Sequence, residues 1–167
     1  ETLSLFGDKT KARSLARSLG IPIVPGSAQS VASAQDAAAI AGKIGYPVML
    51  KAAAGGGGRG MRAVKNETEM AAALARCQSE ALAAFGDGSV FLEKLVSRPR
   101  HIEVQVLADR HGNIVHLYER DCSVQLRNQK VVEIAPAPRL DPRLRHRMCD
   151  DAIKLARAGK YVNAGTV

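Results

Sequence analysis

The sequence contains no tryptophan, and aromatic residues make up only 4% of its 167 residues. Proteins that hold single-stranded nucleic acid usually stack its bases on aromatic side chains, and this chain has few to offer. Its net charge of +8 nevertheless suits a polyanionic partner, either a nucleic acid or the phosphates of a nucleotide. We expect no nucleic-acid partner, and a basic nucleic-acid-binding domain stays open as the alternative from a different functional class.

Cysteine and histidine are also scarce, with three and four residues. Cys77, Cys122 and Cys149 are widely spaced and form no C-x-x-C pair, which argues against a zinc site, and we predict no metal ligand in the chain. Free thiols are typical of a reducing compartment, so we expect a cytoplasmic protein. Cys122 has no histidine beside it in sequence to activate it, and we interpret it as a small buried side chain rather than a nucleophile.

Long hydrophobic runs are missing too. No stretch of about 18 apolar residues is present, which predicts no membrane span, and the first residues do not have the charged and then apolar pattern of a signal peptide. A hydrophobic content of 46% is enough for a buried core. The chain starts on Glu1 and ends in residues 164–167, which have the pattern of a strand, so we expect a piece of a longer protein.

The residue pattern predicts an α+β fold with mostly antiparallel strands. Capping residues and glycine stops predict helices over residues 8–19, 33–45, 66–85 and 140–158. Short apolar or alternating runs predict strands over residues 47–53, 60–64, 90–96, 102–108, 114–120 and 130–134. We expect a small α/β lobe with a glycine-rich loop to end near Val96, and part of an antiparallel-sheet lobe to follow.

The strongest local signal is a glycine cluster in residues 55–60, preceded by Lys51 and accompanied by Arg59 and Arg62. Adjacent glycines let the backbone approach a ligand closely, and their N–H groups can line a phosphate. Although three of the glycines fit the spacing G-x-G-x-x-G, the next segment has strand character, whereas a dinucleotide-binding turn needs a helix there. The pattern favours a strand–loop–strand lid over a nucleotide, with a flexible surface loop as the alternative.

Several stretches carry a family resemblance, and they occur in one order along the whole chain: Gly7-Asp8-Lys9, Val24-Pro25-Gly26, Gly45-Tyr46-Pro47-Val48, residues 51–62, Glu93-Lys94, residues 99–106, residues 119–123 and Gln129-Lys130. Together they resemble the ATP-grasp domain of biotin carboxylases. Residues 116–122 and 130–138 are most similar to the pyruvate carboxylase branch of that family. The resemblance implies a partial ATP-grasp fold, with its start in residues 1–20, its small lobe in residues 21–96 and part of its large lobe in residues 97–167.

The resemblance also implies a reaction. ATP would phosphorylate bicarbonate, and the released CO2 would carboxylate biotin on a carrier domain outside these residues. The cofactors implied are ATP, biotin and Mg²⁺, with the metal ligands beyond Val167, and the intact enzyme is expected to be a homo-oligomer. A urea or acyl-CoA carboxylase remains open as the alternative, as does a relic without activity, and the 167 residues alone are expected to be inactive.

Site residues follow from the same resemblance, position by position. Lys130 is implied to act catalytically near the bicarbonate and the transferring phosphoryl group. The implied nucleotide-binding residues are Lys9, Lys51, Gly57, Gly58, Glu93, Lys94, Leu95, Val96, His101, Gln125 and Asn128. Of these, Glu93 to Val96 would meet the adenine, and Gln125 is a weaker candidate, as is Glu103. Two residues depart from the family pattern: Asn128 stands where a histidine is usual, and Leu126 where an arginine is usual.

Overall fold

The computed structural model describes residues 2–54, 59–127 and 129–167, with only the backbone described at residues 2 and 3. The helices are α1 (Thr2–Gly7), α2 (Lys9–Ser18), α3 (Ala34–Ile44), α4 (Met70–Phe85) and α5 (Pro142–Ala158). The strands are β1 (Val48–Ala52), β2 (Met61–Val64), β3 (Val90–Lys94), β4 (Ile102–Ala108), β5 (Ile114–Leu126), β6 (Gln129–Ile134) and β7 (Asn163–Thr166). This mixture confirms the predicted α+β class. The chain divides into two compact units, Leu3–Ser97 and Arg98–Val167.

The first unit holds a three-stranded antiparallel sheet in the order β2-β1-β3. Side chains alternate between the two faces of a strand, so Val48, Leu50 and Ala52 of β1 are buried while Met49 and Lys51 point to the other face. The buried face packs against α3 and α4, whose contributions include Ala37, Ala41, Leu74 and Cys77. This packing fixes the strand that carries Lys51.

Helix starts follow the capping residues that the sequence predicts. The side chains of Asp8, Ser33 and Asp141 accept hydrogen bonds from the backbone at the starts of α2, α3 and α5. Asn66 caps a 3-10 turn over Glu67–Glu69 that leads into α4, whereas the sequence pattern predicts one continuous helix. The sequence pattern does not predict α1.

The second unit holds a four-stranded antiparallel sheet in the order β6-β5-β4-β7, with α5 packed on Val104 and Val106 of β4. The predicted end of β5 at residue 120 is wrong, because pairing with β6 continues to Leu126. Arg120 and Asp121 look like a polar end in the sequence. In the sheet their charges are matched by Glu103 and Arg100, so the strand can run through them.

A buried ion pair joins this sheet to α5. The side chain of Glu119 on β5 is fully buried, and its Oε1 accepts hydrogen bonds from Arg145 Nε at 2.8 Å and from the Ala137 backbone N–H at 3.1 Å. Burial raises the pKa of Glu119, but the hydrogen bonds from Arg145 and from the backbone lower it by more. The net pKa therefore lies below the ordinary value. Glu119 is therefore ionised inside the second unit, and Arg145 balances its charge.

Among the described residues, no helix is both long enough and apolar enough to cross a bilayer.

Candidate functional site

In the first unit, Lys51 and Glu93 meet on the face of the sheet opposite the α3–α4 core. Lys51 pairs in register with Phe91, and Met49 pairs with Glu93, so Lys51 and Glu93 are diagonal neighbours on adjacent strands. Lys51 Nζ donates to Glu93 Oε1, and Arg13 from α2 donates to Glu93 Oε2 at 2.9 Å. Only 11% of the Glu93 side chain is exposed, so both cations share a largely desolvated carboxylate.

Lys9 lies beside this group, at the first turn of α2. Its backbone N–H donates to Ala53 O at 3.2 Å, and its Nζ lies 3.4 Å from Ala52 O. Burial lowers the pKa of Lys9, and the positive charge of Lys51 lowers it further. The ammonium groups of Lys9 and Lys51 thus repel each other near the end of β1, the strand that precedes the glycine cluster in the sequence. An anion between them would relieve that repulsion.

The segment predicted to contact adenine begins with Glu93 and ends with Val96. The Lys94 ammonium donates to Gly45 O at 2.9 Å and to Tyr46 O at 3.0 Å, and the Leu95 N–H donates to Pro47 O at 3.2 Å. Val96 is half exposed. These bonds use the Lys94 side chain to hold the end of β3, so any contact of Lys94 with a base would go through its backbone. The adenine contacts stay a prediction.

In the second unit, several polar side chains cluster around Glu103 on β4. Its carboxylate accepts hydrogen bonds from Lys130 on β6 and from Arg120 on β5, and only 5% of its side chain is exposed. Burial raises the pKa of Glu103, yet the hydrogen bonds from Lys130 and Arg120 outweigh this and lower the pKa to about 2. The same hydrogen bond raises the pKa of Lys130. Lys130 is therefore held as a cation with a fixed position, and about a third of its side chain is exposed.

His101 and Gln125 join the same group. Gln125 Nε2 donates to His101 Nδ1 at 2.7 Å, and His101 Nε2 lies 3.6 Å from Glu103 Oε2. If Nδ1 accepts, the proton of a neutral imidazole is on Nε2, which faces the Glu103 carboxylate. The sequence-predicted residues His101, Gln125 and Lys130 therefore lie in one cluster around Glu103.

The ion pairs of Glu103 should make the stability of the folded protein depend on pH. The Glu103 carboxyl has a pKa of about 2 in the folded protein and an ordinary value of 4.5, so its ion pairs stabilise the fold above about pH 4.5 and lose that effect as the pH falls toward 2. Denaturant unfolding of the wild-type protein and of Glu103→Gln, from pH 7 to pH 3, should give a stability difference that shrinks with acidification. A difference that does not change with pH would contradict the inferred charge on Glu103.

A possible metal site in this cluster does not suit magnesium. Glu103, Cys122 and Glu133 have ligand atoms within 4.8 Å of one another. However, the Glu103 carboxylate is occupied by Lys130 and Arg120, and Arg120 Nε also lies 3.4 Å from Glu133. Burial and the nearby Glu103 charge raise the pKa of the Cys122 thiol, which is a poor ligand for a cation that prefers oxygen. The expectation that the Mg²⁺ ligands lie outside this chain stays a prediction.

Three predicted residues lie outside the described part of the chain: Gly57, Gly58 and Asn128. Leu126, the other departure from the family pattern, is two-thirds exposed. Sequence reasoning missed Arg13 and Arg120, which supply cations to the buried carboxylates of Glu93 and Glu103. Arg120 falls in a stretch that the resemblance already covers. For Arg13 no local signal existed, because its partner Glu93 is 80 residues away in sequence.

The family is decided by a comparison with protein-family models. The model described as "Carbamoyl-phosphate synthase L chain, ATP binding domain" matches residues 8–167. The chain belongs to this family. Among its curated relatives is pyruvate carboxylase of Schizosaccharomyces pombe, which is 54% identical over 166 residues, spanning 99% of this chain and 14% of the relative.

Solved structures in the same family confirm the predicted ATP-grasp fold. A biotin carboxylase from Campylobacter jejuni, described as a β,γ-ATP complex, superposes with a TM-score of 0.96 at 51% identity, over 99% of this chain and 37% of that one. The biotin carboxylase domain dimer of Hydrogenobacter thermophilus 2-oxoglutarate carboxylase, described with MgADP, ADP and bicarbonate, gives a TM-score of 0.94 at 47% identity, over 98% and 36%. The chain therefore spans between about a seventh and somewhat over a third of these family members.

Proposed function

We propose that this chain is the ATP-binding part of a biotin carboxylase, which uses ATP and bicarbonate to carboxylate biotin on a carrier domain. The observation that carries the proposal is the match of the whole chain to biotin-dependent carboxylases at about half identity, with the predicted lysines built into polar clusters. The complexes named for the two solved relatives contain the nucleotide, and one contains bicarbonate. The enzyme class proposed is an ATP-dependent ligase.

The two clusters have different roles in this proposal. Lys9 and Lys51 bring positive charge to the end of β1, where they would neutralise the nucleotide phosphates together with backbone N–H groups of the glycine cluster. Lys130, fixed as a cation by Glu103, would stabilise charge that develops as the phosphoryl group passes to bicarbonate. Magnesium and biotin would be held by residues outside this chain.

For the final carboxyl acceptor we propose pyruvate, which would be converted to oxaloacetate. The support is the 54% identity to a pyruvate carboxylase and the 53% identity to several others, including those of mouse and human, across the chain. Urea and acyl-CoA acceptors are the alternatives. A homo-oligomer and a cytoplasmic location stay predictions, and the names of the mammalian relatives include "mitochondrial".

The proposal predicts that Lys51→Gln weakens the use of ATP. In the gene product that contains this chain, the variant should raise KM for ATP or lower turnover at least tenfold, which corresponds to about 1.4 kcal/mol. Lys43→Gln is a matched control, because Lys43 lies in the same unit, on α3, with an exposed side chain. Unchanged ATP kinetics in a folded Lys51→Gln variant would remove Lys51 from the site.

The same preparations distinguish the proposed carboxylase from the alternative nucleic-acid-binding function. Binding to random duplex DNA that weakens steeply with salt, in a protein that does not bind ATP, would favour the nucleic-acid domain. Saturable ATP binding with only weak DNA binding would favour the carboxylase.

A further inference from the structure

Glu93 is shared by two cations of unequal role. Its Oε1 accepts from Lys51, and its Oε2 accepts from Arg13 Nη1 at 2.9 Å. Lys51 is the last residue but one of β1, the strand that precedes the glycine cluster, whereas Arg13 lies in the second turn of α2. Only 15% of the Arg13 side chain is exposed. Arg13 thus reaches the nucleotide-binding lysine only through the carboxylate between them.

Two hydrogen bonds and a ring contact hold the Arg13 guanidinium, one of the bonds being that to Glu93. Its Nη2 donates to Val24 O at 2.7 Å, and its guanidinium lies 5.5 Å from the centre of the Phe91 ring, within range of a cation–π interaction. Gly26 leaves the space for this arrangement. A Cβ atom at Gly26 would lie 2.4 Å from Leu92 O and 2.9 Å from Arg13 Nη2, so no larger residue fits without displacing the arginine or β3.

Charge explains what Arg13 contributes. Lys51 and Glu93 alone form a neutral pair, and such a pair attracts phosphate weakly. Arg13 adds a permanent positive charge on the far oxygen of Glu93, so the three side chains have a formal charge of +1, and the neighbouring Lys9 raises it to +2. The Arg13–Glu93 bond also keeps Glu93 from turning away and leaving Lys51 without a fixed partner.

We propose that Arg13 is a positioning residue for ATP, which acts on the nucleotide phosphates through Glu93 and Lys51. The inference rests on the proposed function, because it assumes that Lys51 binds the nucleotide. It assigns a role to a side chain that does not touch the ligand.

A double-mutant cycle on the intact gene product tests the inference. Arg13→Ala should raise KM for ATP about five- to tenfold with a smaller change in kcat, because the loss is in phosphate binding. In a Glu93→Gln background, Arg13→Ala should change KM less than twofold, since the carboxylate whose charge Arg13 balances, and through which it acts, has gone. Arg17→Ala is the matched control, because it removes the same charge from an exposed site one turn later on α2.

The possible failures are distinguishable. If Lys51→Gln leaves KM for ATP unchanged, the proposed function fails. If Lys51→Gln raises KM but Arg13→Ala does not, or raises it equally in both backgrounds, only the role of Arg13 is overturned. If Arg13→Ala does not fold, Arg13→Gln replaces it: that variant keeps a long polar side chain and removes the charge, and a rise in KM that Glu93→Gln abolishes would support the inference. An unchanged KM in folded Arg13→Gln would overturn it.

Discussion

Replacing Lys130 with alanine is expected to reduce bicarbonate-dependent ATP cleavage by about 10²- to 10³-fold, the usual cost of losing one fixed group that stabilises transition-state charge. Lys130 suits that role because Glu103 holds it in one position and raises its pKa. The variant should lower kcat more than it raises KM for ATP, since the charge it stabilises is largest during phosphoryl transfer. Phosphate release from ATP in the presence of bicarbonate measures the effect.

Lys65→Ala is the matched control for this experiment, because Lys65 has an exposed side chain in the first unit and only its backbone N–H is in a described hydrogen bond. Removing Lys130 also leaves Glu103 with Arg120 as its remaining cation, so the free energy of unfolding of both variants should be measured. A folded Lys130→Ala protein that cleaves ATP at nearly the wild-type rate would exclude Lys130 from the chemistry.

The largest expected effect on stability is at the buried ion pair of the second unit. Arg145→Ala should lower the free energy of unfolding by roughly 3 kcal/mol, because it leaves the fully buried Glu119 carboxylate without its cation. The Ala137 N–H would still donate to Glu119, but one neutral donor does not replace the charge. Denaturant unfolding followed by circular dichroism gives the value.

Arg147→Ala is the control for this prediction, because Arg147 is exposed on the same helix, and it should change stability by no more than about 0.5 kcal/mol. The double variant Glu119→Gln with Arg145→Ala should recover part of the loss, since it leaves no uncompensated charge. If Arg145→Ala and Arg147→Ala have equal effects, the pair contributes little.

Much of the fold could be predicted from the sequence because its signals are local. Asp8, Ser33 and Asp141 cap helices through bonds that span two or three residues, and Gly45 and Gly86 end helices in positive-φ conformations that other residues adopt at a cost. Local pattern failed at β5. There, charged residues continue a strand because Glu103 on β4 pairs with Arg120, and Arg100, two residues before β4, pairs with Asp121.

The family resemblance predicts several residues of the candidate site. It does not predict the contacts among them that join residues far apart in the sequence. The resemblance pointed to Lys9, Lys51 and Lys130, and the structure places each in a polar cluster within its own unit. The roles of Glu93 and Glu103 as buried carboxylates that hold those lysines depend on strand pairing. Periodicity assigns Glu93 only to the polar end of a strand, and it cannot supply the register that brings Lys51 beside it.

The most direct test of the proposed function is transfer of labelled carbon from bicarbonate to biotin. The gene product that contains this chain is incubated with ATP, magnesium, labelled bicarbonate and free biotin, and carboxybiotin is separated and counted. We expect label in biotin that requires ATP and falls at least tenfold in Lys51→Gln and further in Lys130→Ala, while the Lys43→Gln and Lys65→Ala proteins match the wild type. Absence of labelled biotin from a folded protein that cleaves ATP equally well without bicarbonate would contradict the proposed function.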